Sequence, residues 1–314
     1  MYVLVVIVIL TALVHPSEAE VNLVYQQETR QSGEYSEAFP ASNAVNGNTS
    51  DFSYTAAGQQ ANWWMVNLGS KYSIGSITLY NRLEPYGEYQ NNGGVRIQPS
   101  DPSLSSDDWT RVSYQEDAYP QVQTHNFTPP IEGQHVAIFN IHPEGLALAE
   151  VEIREYCYSR GKLSFQYPPS EDANNAADGD LSKYSSTRNH TNGWWKVDLG
   201  RQILFREVKI FVRDGQCYEE ACSSHLRQVY FLTNPTNTDF SPNNENIDDW
   251  NICSYSETSL GDEYIRSCDT GIAYPLTRQF SIFSTAETQI ELRQVEVYGH
   301  GEFVIRHSHA VFPC

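Results

Sequence analysis

The sequence predicts an all-β protein made of two tandem copies of one antiparallel sandwich or barrel. Three observations predict this fold class. The chain has 314 residues, and at about 100–200 residues per domain this length favours two domains. Its apolar residues stand in short runs rich in Val, Ile, Tyr and Trp, separated by clusters of Gly, Asn, Pro and Ser, as in β-sheet proteins. Five sequence patterns also recur in the same order in the two halves of the chain.

The repeated patterns define two modules. They pair Asn43–Asn48 with Asn175–Asp180, Trp63–Gly69 with Trp194–Gly200, Ile77–Arg82 with Val208–Arg213, Asp107–Trp109 with Asp248–Trp250, and Glu150–Ile153 with Gln294–Val297. The distance between the copies is 132 residues for the first pair (175 − 43) and 144 for the last (294 − 150). Five ordered matches indicate a domain duplication, with module one at residues 21–157, module two at 158–305 and a C-terminal tail at 306–314.

Individual runs within the modules predict short strands. These runs are Trp64–Leu68, Ile74–Tyr80, Val136–Asn140 and Val151–Tyr156 in module one, and Val208–Val212 and Gln228–Leu232 in module two. Apolar and polar residues alternate in Ser76–Tyr80 and in Glu207–Val212, which is the period of a half-buried strand. No helical period is sustained, so we expect an antiparallel β architecture.

Residues 1–19 have the features of a signal peptide. The apolar run Val3–Val14 is too short to cross a bilayer, and Ser17 and Ala19 fit cleavage after Ala19. We therefore expect a secreted, extracellular protein. An uncleaved anchor is the alternative, because no basic residue precedes the apolar run. No later apolar stretch approaches the length of a membrane span, so no membrane insertion of the mature chain is expected.

The chain is strongly acidic, because 20 Lys and Arg stand against 39 Asp and Glu and give a net charge of −19. This charge repels phosphate groups, which argues against nucleic acids and anionic membrane surfaces as partners. It is compatible with Ca²⁺, which binds oxygen ligands. It is equally compatible with the solvated negative surface of an extracellular protein.

Six cysteines, an even number, suggest disulfide bonds in a secreted chain. They are Cys157, Cys217, Cys222, Cys253, Cys268 and Cys314. Sequence proximity favours the pairs 217–222 and 253–268, which leaves 157 and 314 to pair with each other or with another chain in a disulfide-linked oligomer. Connectivity stays open at this point. The sequence has no CxxC or HxxxH spacing, which argues against zinc.

The order of the repeated patterns resembles F-type (fucolectin-type) lectin domains. The shared features are the Asn-Ala-Val-Asn-Gly-Asn pattern at Asn43–Asn48, the paired Trp of Trp63–Gly69, the Ile-rich strand ending in Asn-Arg at Arg82, and the closing strand Glu150–Ile153. The family belongs to the wider discoidin-like jelly rolls. The resemblance covers most of both modules and therefore implies two tandem jelly-roll β-sandwiches.

The resemblance also implies one structural Ca²⁺ per module. The matching positions are Asn43, Asn46, Asn48, Ser53, the Ala149 carbonyl and Glu150 in module one, and Asn175, Asp178, Asp180, Ser185, the Arg293 carbonyl and Gln294 in module two. Such a loop can offer the amide, carboxylate and carbonyl oxygens that Ca²⁺ prefers. One formal charge from Glu150 stands against two from Asp178 and Asp180, so tighter binding in module two is expected. The alternative is that these residues only form turns.

The sugar site of the family is a basic triad, one His and two Arg or Lys, in the loops at one end of the sandwich. Such cations donate hydrogen bonds to fucose hydroxyls. In module one only the strand-end Arg82 matches, since the His position falls at Ala56 and the second basic position falls near Tyr89. Module one is therefore expected to be the weaker candidate.

Module two keeps a cationic cluster. Arg213 ends the strand, Arg188 stands at the His position with His190 two residues further on, and Arg227 follows the next loop. The resemblance therefore implies carbohydrate binding through these four residues. Two alternatives stay open: Arg213 forms a structural ion pair with Asp214 or a neighbouring carboxylate, or His190 is only an exposed loop residue.

Three glycan acceptor patterns are present, at Asn48, Asn126 and Asn189. A glycan on Asn189 would lie beside the proposed sugar site, and a glycan on Asn48 would exclude its proposed metal role. The paired tryptophans at 63–64 and 194–195 are consistent with a sugar-stacking platform, but their place at the start of a strand favours packing. We also expect Trp109 and Trp250 to be packing residues.

The motifs favour a binding protein over an enzyme. The sequence contains no Gly-x-Ser-x-Gly, no phosphate loop and no His-Glu-x-x-His. The first hypothesis is a secreted, calcium-containing, fucose-type lectin that binds glycans or glycoproteins in innate recognition or adhesion, with avidity if both modules bind. The second is a discoidin-like adhesion or scaffold module that binds a protein partner.

Overall fold

The computed structural model describes residues 22–58, 62–82, 93–98, 110–113, 120–140, 145–170, 172–213, 226–236, 242, 247–258, 260, 263–268 and 275–301. Over these residues the chain forms two antiparallel β-sheets joined by loops and short 3₁₀ turns. The predicted all-β fold class, a tandem of two jelly-roll sandwiches, is confirmed. In the described part of the chain, no helix has the length and apolar character needed to cross a membrane.

The first sheet has seven strands. They are β1 (Thr29–Gln31), β2 (Ser53–Tyr54), β3 (Asn62–Asn81), β4 (Gly93–Gln98), β5 (Thr110–Arg111), β6 (Val122–Asn140) and β7 (Ala147–Glu155). Their order is β2-β7-β3-β6-β4-β5, and β1 also pairs with β3. The buried faces of these strands enclose a core of Val, Ile and Leu side chains, among them Ile74, Ile77 and Val136.

The second sheet has eight strands. They are β8 (Ser164–Tyr167), β9 (Ser185–Ser186), β10 (Trp194–Val212), β11 (Val229–Asn234), β12 (Asn251–Ser256), β13 (Glu263–Arg266), β14 (Leu276–Ser284) and β15 (Glu291–Gly301). Their order is β12-β11-β14-β10-β15-β9, and both β8 and β13 also pair with β10. A separate core fills this module, with large aromatic residues such as Trp195, Phe205 and Phe280 fully buried.

The long strand of each module folds back on itself. In β10 the register with β14 shifts between Asp198 and Ile203, and Gly200 lies there with φ of 77°, which side chains other than Gly rarely tolerate. Gly193 bonds to Ser284 at one end of β10 and Arg213 bonds to Glu291 at the other. These two partners, Ser284 and Glu291, are seven positions apart in the sequence (291 − 284) and therefore lie at most about 25 Å apart, whereas a straight strand as long as β10 would measure about 63 Å.

This fold-back brings both ends of β10 to one end of the sandwich. The strand β3 bends in the same way. Its register with β6 shifts between Asn67 and Tyr72, around Gly69, which has φ of 78°. Arg213, which follows Val212, and the residues that precede Trp194 therefore lie at the same end of the module. The sequence predicted β3 as two separate strands, Trp64–Leu68 and Ile74–Tyr80, whereas the structure joins them in one strand with a bend.

One tryptophan of each pair anchors a 3₁₀ turn. Trp64 and Trp195 are fully buried, and their indole N–H groups donate to the carbonyls of Ala41 and Ala173 at 2.9 Å. Trp194 and Trp250 are also buried, in a satellite cluster with Phe283, so the packing interpretation is confirmed for these residues. Trp63 is half-buried, and Trp109 lies outside the described residues.

The cysteine prediction is confirmed at one pair. Cys253 and Cys268 form a disulfide bond. Cys157 is a buried thiol, and its sulfur lies 3.2 Å from the Ser159 hydroxyl. Cys217, Cys222 and Cys314 lie outside the described residues, so their pairing stays a prediction.

A polar network joins the two modules. Ser73 of β3 donates to the Gly299 carbonyl of β15 at 2.7 Å and also bonds Glu132 of β6. Glu132 in turn accepts the Gly301 N–H at 3.0 Å and lies 3.2 Å from Nδ1 of His300. The last residues of β15, in module two, are thereby held against module one.

Candidate functional site

The Asn-rich pattern of module one forms a turn whose side chains already bond the backbone. Residues Ala41–Val45 form a 3₁₀ turn, and the amide of Asn43 donates to the Phe52 carbonyl at 3.0 Å. The side-chain oxygen of Asn46 accepts the backbone N–H of Asn48 at 2.8 Å. These bonds agree with turn formation, and because an amide oxygen has two lone pairs, they leave one for a cation.

Two carboxylates face this turn. Glu150 of β7 is 2% exposed, and one of its oxygens accepts the Gly47 N–H at 3.1 Å. The Asp51 carboxylate accepts the Asn46 side-chain amide at 3.0 Å. Burial above all, together with the charges of Glu152 and Asp51, raises the pKa of Glu150 to about 7 against the opposing effect of the Gly47 N–H.

The residues of this loop fit a calcium ion. The second oxygens of Glu150 and Asp51 are buried and have no hydrogen-bond partner among the described residues. A buried oxygen without a partner is costly unless a cation or water meets it. Two carboxylates with neighbouring amide and carbonyl oxygens form a hard-oxygen donor set that suits Ca²⁺. Ser53 and Ala149 lie on the adjoining strands β2 and β7.

The equivalent loop of module two holds a lysine among its carboxylates. Lys183 Nζ lies 3.1 Å from Asp178 and 3.0 Å from Asp180. Bonds from Ser182 and then the Lys183 ammonium lower the pKa of Asp180 to about 2. Gln294 of β15 accepts the Gly179 N–H at 3.2 Å, as Glu150 accepts that of Gly47.

The other predicted ligands of module two serve as turn formers or lie in the core. The Asn175 amide donates to the Tyr184 carbonyl at 3.0 Å. Ser185 is buried on β9, and its hydroxyl has no hydrogen-bond partner among the described residues. Arg293 lies on β15 beside Gln294. In the described part of the chain, no group of three or more His, Cys, Asp or Glu side chains could hold a metal ion.

Tighter calcium binding in module two was predicted from a count of the formal charges in each loop. The structure changes that count. Module one brings two carboxylates to its loop, Asp51 and Glu150, and not one. Module two brings two carboxylates and one ammonium group, from Lys183. With all carboxylates ionised, the net charge of the loop is −2 in module one and −1 in module two, so this charge count no longer favours module two, and the relative calcium affinity stays a prediction.

The strand-end arginines of the two modules stack on aromatic rings at equivalent positions. The Arg82 guanidinium lies 4.1 Å from the centre of the Phe52 ring, and that of Arg213 lies 3.8 Å from the centre of the Tyr184 ring. Arg213 also forms an ion pair with Glu291 at 2.9 Å. The predicted alternative of an ion pair is thus correct for Arg213, although its partner is Glu291.

A polar face surrounds Arg213. Alternate residues of a strand point to the same side, and Ser186 and Arg188 alternate with the buried Ser185 and Thr187. The Ser186 hydroxyl lies 3.3 Å from the Glu291 carboxylate and accepts the Gln289 amide at 2.8 Å. Because Arg188 is exposed and follows Ser186 by two residues, this face collects two cations, a carboxylate and an amide.

His190 belongs to an aromatic group rather than to the Arg213 ion pair. Its ring meets that of Tyr167 edge to face at 5.0 Å, and Tyr167 stacks on Trp194 at 6.3 Å. His190 also pairs with Thr288 in an isolated β-bridge. Its Nδ1 is buried and lacks a hydrogen-bond partner among the described residues, while Tyr167 is 43% exposed.

The remaining candidates lie at the same end of the sandwiches. Arg227 is exposed, and its carbonyl accepts the Ser284 hydroxyl at 2.8 Å, next to the end of β14. Ala56 lies near Gly33, to whose carbonyl its N–H donates at 3.2 Å, and brings no charge. The position near Tyr89 lies outside the described residues.

Five residues of these sites were not predicted from the sequence: Asp51, Phe52, Lys183, Tyr184 and Glu291. A usable signal existed for the first four, since Asp51 aligns with Lys183 and Phe52 with Tyr184 at the offset of the Asn-rich pattern. Glu291 gave no signal, because its equivalent at the later offset is Ala147. Its role depends on the pairing of β9 with β15.

Comparison with known families matches both modules separately. The family model for the NedA-like, galactose-binding domain matches residues 43–138 and 175–270. Two eel proteins are similar in sequence. Fucolectin of Anguilla anguilla is 30% identical over 132 residues, 40% of this chain and 84% of that protein. Fucolectin-6 of Anguilla japonica is 28% identical over 133 residues, 40% of this chain and 69% of that protein.

A solved structure covers both modules. The serum f-lectin (fucolectin) of striped bass, Morone saxatilis, is 24% identical, with a TM-score of 0.43, and covers 90% of this chain and 98% of that chain.

Proposed function

This chain belongs to the F-type lectin family, and from that membership we propose that it is a secreted carbohydrate-binding protein for fucose-type glycans, acting in recognition or adhesion. The relatives are fucolectins by name. The motifs that would indicate an enzyme are missing from the sequence. The N-terminal apolar run supports secretion.

The observation that carries the proposal is the constellation of Arg213, Glu291 and Tyr184. Sugar hydroxyls both donate and accept hydrogen bonds, so a guanidinium and a carboxylate side by side can bind adjacent hydroxyls. Arg213 keeps 39% of its side chain exposed and Glu291 15%, so their outer atoms can reach a ligand. The Tyr184 ring, 36% exposed, can pack against the apolar C–H groups of the sugar.

Arg188 and His190 would complete this site. Arg188 is exposed on the face of Ser186, where it can donate to further hydroxyls. The exposed Tyr167 beside His190 offers an apolar surface for a methyl group. Module one offers Arg82 on Phe52 with alanine at the Glu291 position, so we propose weaker binding there.

Calcium is proposed for module one. Glu150, Asp51 and the Asn46 loop would hold it, and it would lock the turn that Trp64 anchors. When bound, the ion supplies charge neutralisation for two carboxylates.

A glycan array probed with the full chain tests the proposed function. We expect binding to fucosylated glycans, with a loss of about 10-fold or more for Arg213→Ala, since a hydrogen bond to a charged group contributes about 1.5–3 kcal/mol. Arg278→Ala is the matched control, because Arg278 pairs with Asp198 near the Gly200 bend, away from the loops around Arg213.

Two results would contradict this proposal. Binding that survives Arg213→Ala would place the sugar site elsewhere. An array with no bound glycan would favour the discoidin-like module that binds a protein partner.

A further inference from the structure

The calcium loops of the two modules differ in charge at four aligned positions. Module two has Asp178 and Asp180 where module one has Asn46 and Asn48, and it loses a carboxylate at each of the other two positions. The offset of the Asn-rich pattern aligns Asp51 with Lys183, and the offset of the closing strand aligns Glu150 with Gln294. Module two thus replaces one carboxylate by an ammonium group and the other by a neutral amide. Both substitutions remove negative charge from the centre of the loop.

The backbone of the loop is nevertheless the same in both modules. A 3₁₀ turn precedes it, at Ala41–Val45 and at Ala173–Ala177. Glycine follows with φ of 80° at Gly47 and 85° at Gly179. The Gly179 N–H bonds Gln294 at 3.2 Å where that of Gly47 bonds Glu150 at 3.1 Å.

Lys183 lies over the carboxylates of the module-two loop, with 51% of its side chain exposed. Its backbone N–H donates to the Asp180 carbonyl at 3.1 Å, which fixes the residue on a tight turn. Its Nζ then meets Asp178 at 3.1 Å and Asp180 at 3.0 Å. One ammonium group therefore bridges the two carboxylates that the family resemblance assigned to calcium.

We infer that the Lys183 ammonium group takes the place of calcium in module two, so that this module keeps its loop without a metal and the chain binds one calcium ion. The inference extends the calcium part of the proposed function to a difference between the modules. It does not depend on sugar binding.

Three physical reasons support this assignment. An ammonium group that bridges both carboxylates repels a divalent cation and competes with it for their oxygens. The Gln294 side chain is neutral, its oxygen already accepts the Gly179 N–H, and its buried amide nitrogen is a donor without a partner among the described residues, so Gln294 cannot supply the negative charge that Glu150 brings in module one. The corresponding oxygen of Glu150 in module one is a buried acceptor without a partner.

Calcium titration of the full chain tests the inference, by isothermal calorimetry with CaCl₂ and by native mass spectrometry. Wild type is expected to bind one ion and Glu150→Gln none. The double variant Lys183→Asp with Gln294→Glu rebuilds the module-one pattern and is expected to bind one ion more than wild type. Arg266→Asp, an equal charge reversal on the exposed strand β13 of module two, is expected to leave the stoichiometry at one.

The outcomes separate the inference from the proposed calcium site of module one. A second ion in wild type that is lost in Asp180→Asn would overturn the inference, and so would a folded double variant that binds no additional ion. Near-ultraviolet circular dichroism checks folding, and Lys183→Asp alone replaces the double variant if that one unfolds. A wild type that binds no calcium beside a double variant that binds one would support the inference and refute the module-one site.

Discussion

At the scale of single residues, the strand-end arginine of each module stacks on an aromatic ring. Arg82 lies on Phe52 and Arg213 on Tyr184, and a guanidinium over an aromatic face contributes about 0.5–2 kcal/mol. The ring orients the guanidinium before any ligand arrives. Glu291 then adds an acceptor for Arg213, whereas the equivalent position of module one is Ala147.

The glycine of each Asn-rich loop provides the first test at this scale. Gly179 has φ of 85°, and an added Cβ would lie 3.2 Å from Arg160. Because the left-handed region costs other residues about 1–2 kcal/mol, Gly179→Ala should lower the free energy of unfolding by about that amount. Urea unfolding followed by tryptophan fluorescence measures it.

Gly33→Ala is the matched control for Gly179→Ala. Its φ lies outside the left-handed region, and its nearest neighbour, the Ala56 Cβ, stands at an ordinary 3.5 Å. We expect little change in stability. Equal losses for the two variants would show that the loop conformation is not the cause.

The sequence allowed the backbone turns to be predicted, but not the partners of their side chains. The spacing Asn-Ala-x-Asn-Gly in module one and Asn-Ala-x-Asp-Gly in module two predicts the Gly47 and Gly179 turns, because the bonds of these turns are local. The electrostatic role of Lys183 depends on three residues meeting in space, and that of Glu291 on strand pairing. Such contacts are not encoded in local spacing.

At the scale of elements, the buried tryptophans connect the strands to the candidate loops. Trp195 begins on β10, fills the core, and donates to the Ala173 carbonyl of the 3₁₀ turn at 2.9 Å. Trp64 does the same with Ala41. The position of each Asn-rich loop is therefore set by one side chain of the strand beneath it.

Trp195→Phe should destabilise module two and loosen its loop. The change leaves the Ala173 carbonyl without its donor and removes buried volume, which together cost about 2–4 kcal/mol. Chemical denaturation of the variant measures the loss, and hydrogen exchange of residues 173–183 should quicken. Trp63→Phe is the control, because Trp63 is half-buried, and an equal loss there would contradict the anchoring role.

The fold-back of β3 and β10 explains why strand limits were predicted less well than strand existence. Alternation identified Ile74–Tyr80 and Val208–Val212 correctly as strands, since the period persists through both. The bend at Gly200 interrupts the pattern without ending the strand. A sequence pattern shows such a bend only as a gap, so the joined strand β10 and its four pairing partners, β8, β13, β14 and β15, could not be derived from it.

At the scale of the whole molecule, the tandem is held by a junction that concentrates on Glu132. Its carboxylate receives the Ser73 hydroxyl, the Gly301 N–H and the His300 ring, and Lys71 lies 3.8 Å away. A junction of this kind limits the relative motion of the modules. If both modules bind glycans, a fixed arrangement restricts avidity to ligands whose spacing matches it.

The same carboxylate predicts an acid-sensitive junction. Burial alone would raise the pKa of Glu132, but the bonds from His300, Ser73 and Gly301 outweigh it and hold the pKa below the usual 4.5. A group with a lowered folded-state pKa stabilises the fold fully above its ordinary pKa and loses that contribution as the pH falls through the folded value.

Glu132→Gln should therefore cost about 1–3 kcal/mol of unfolding free energy near pH 6.5, and the difference from wild type should shrink below pH 4.5. Differential scanning calorimetry between pH 3 and 7 measures it. Glu152→Gln serves as the control because Glu152 pairs with Arg154 within module one, and a Glu132→Gln difference that stays constant with pH would refute the role of this carboxylate.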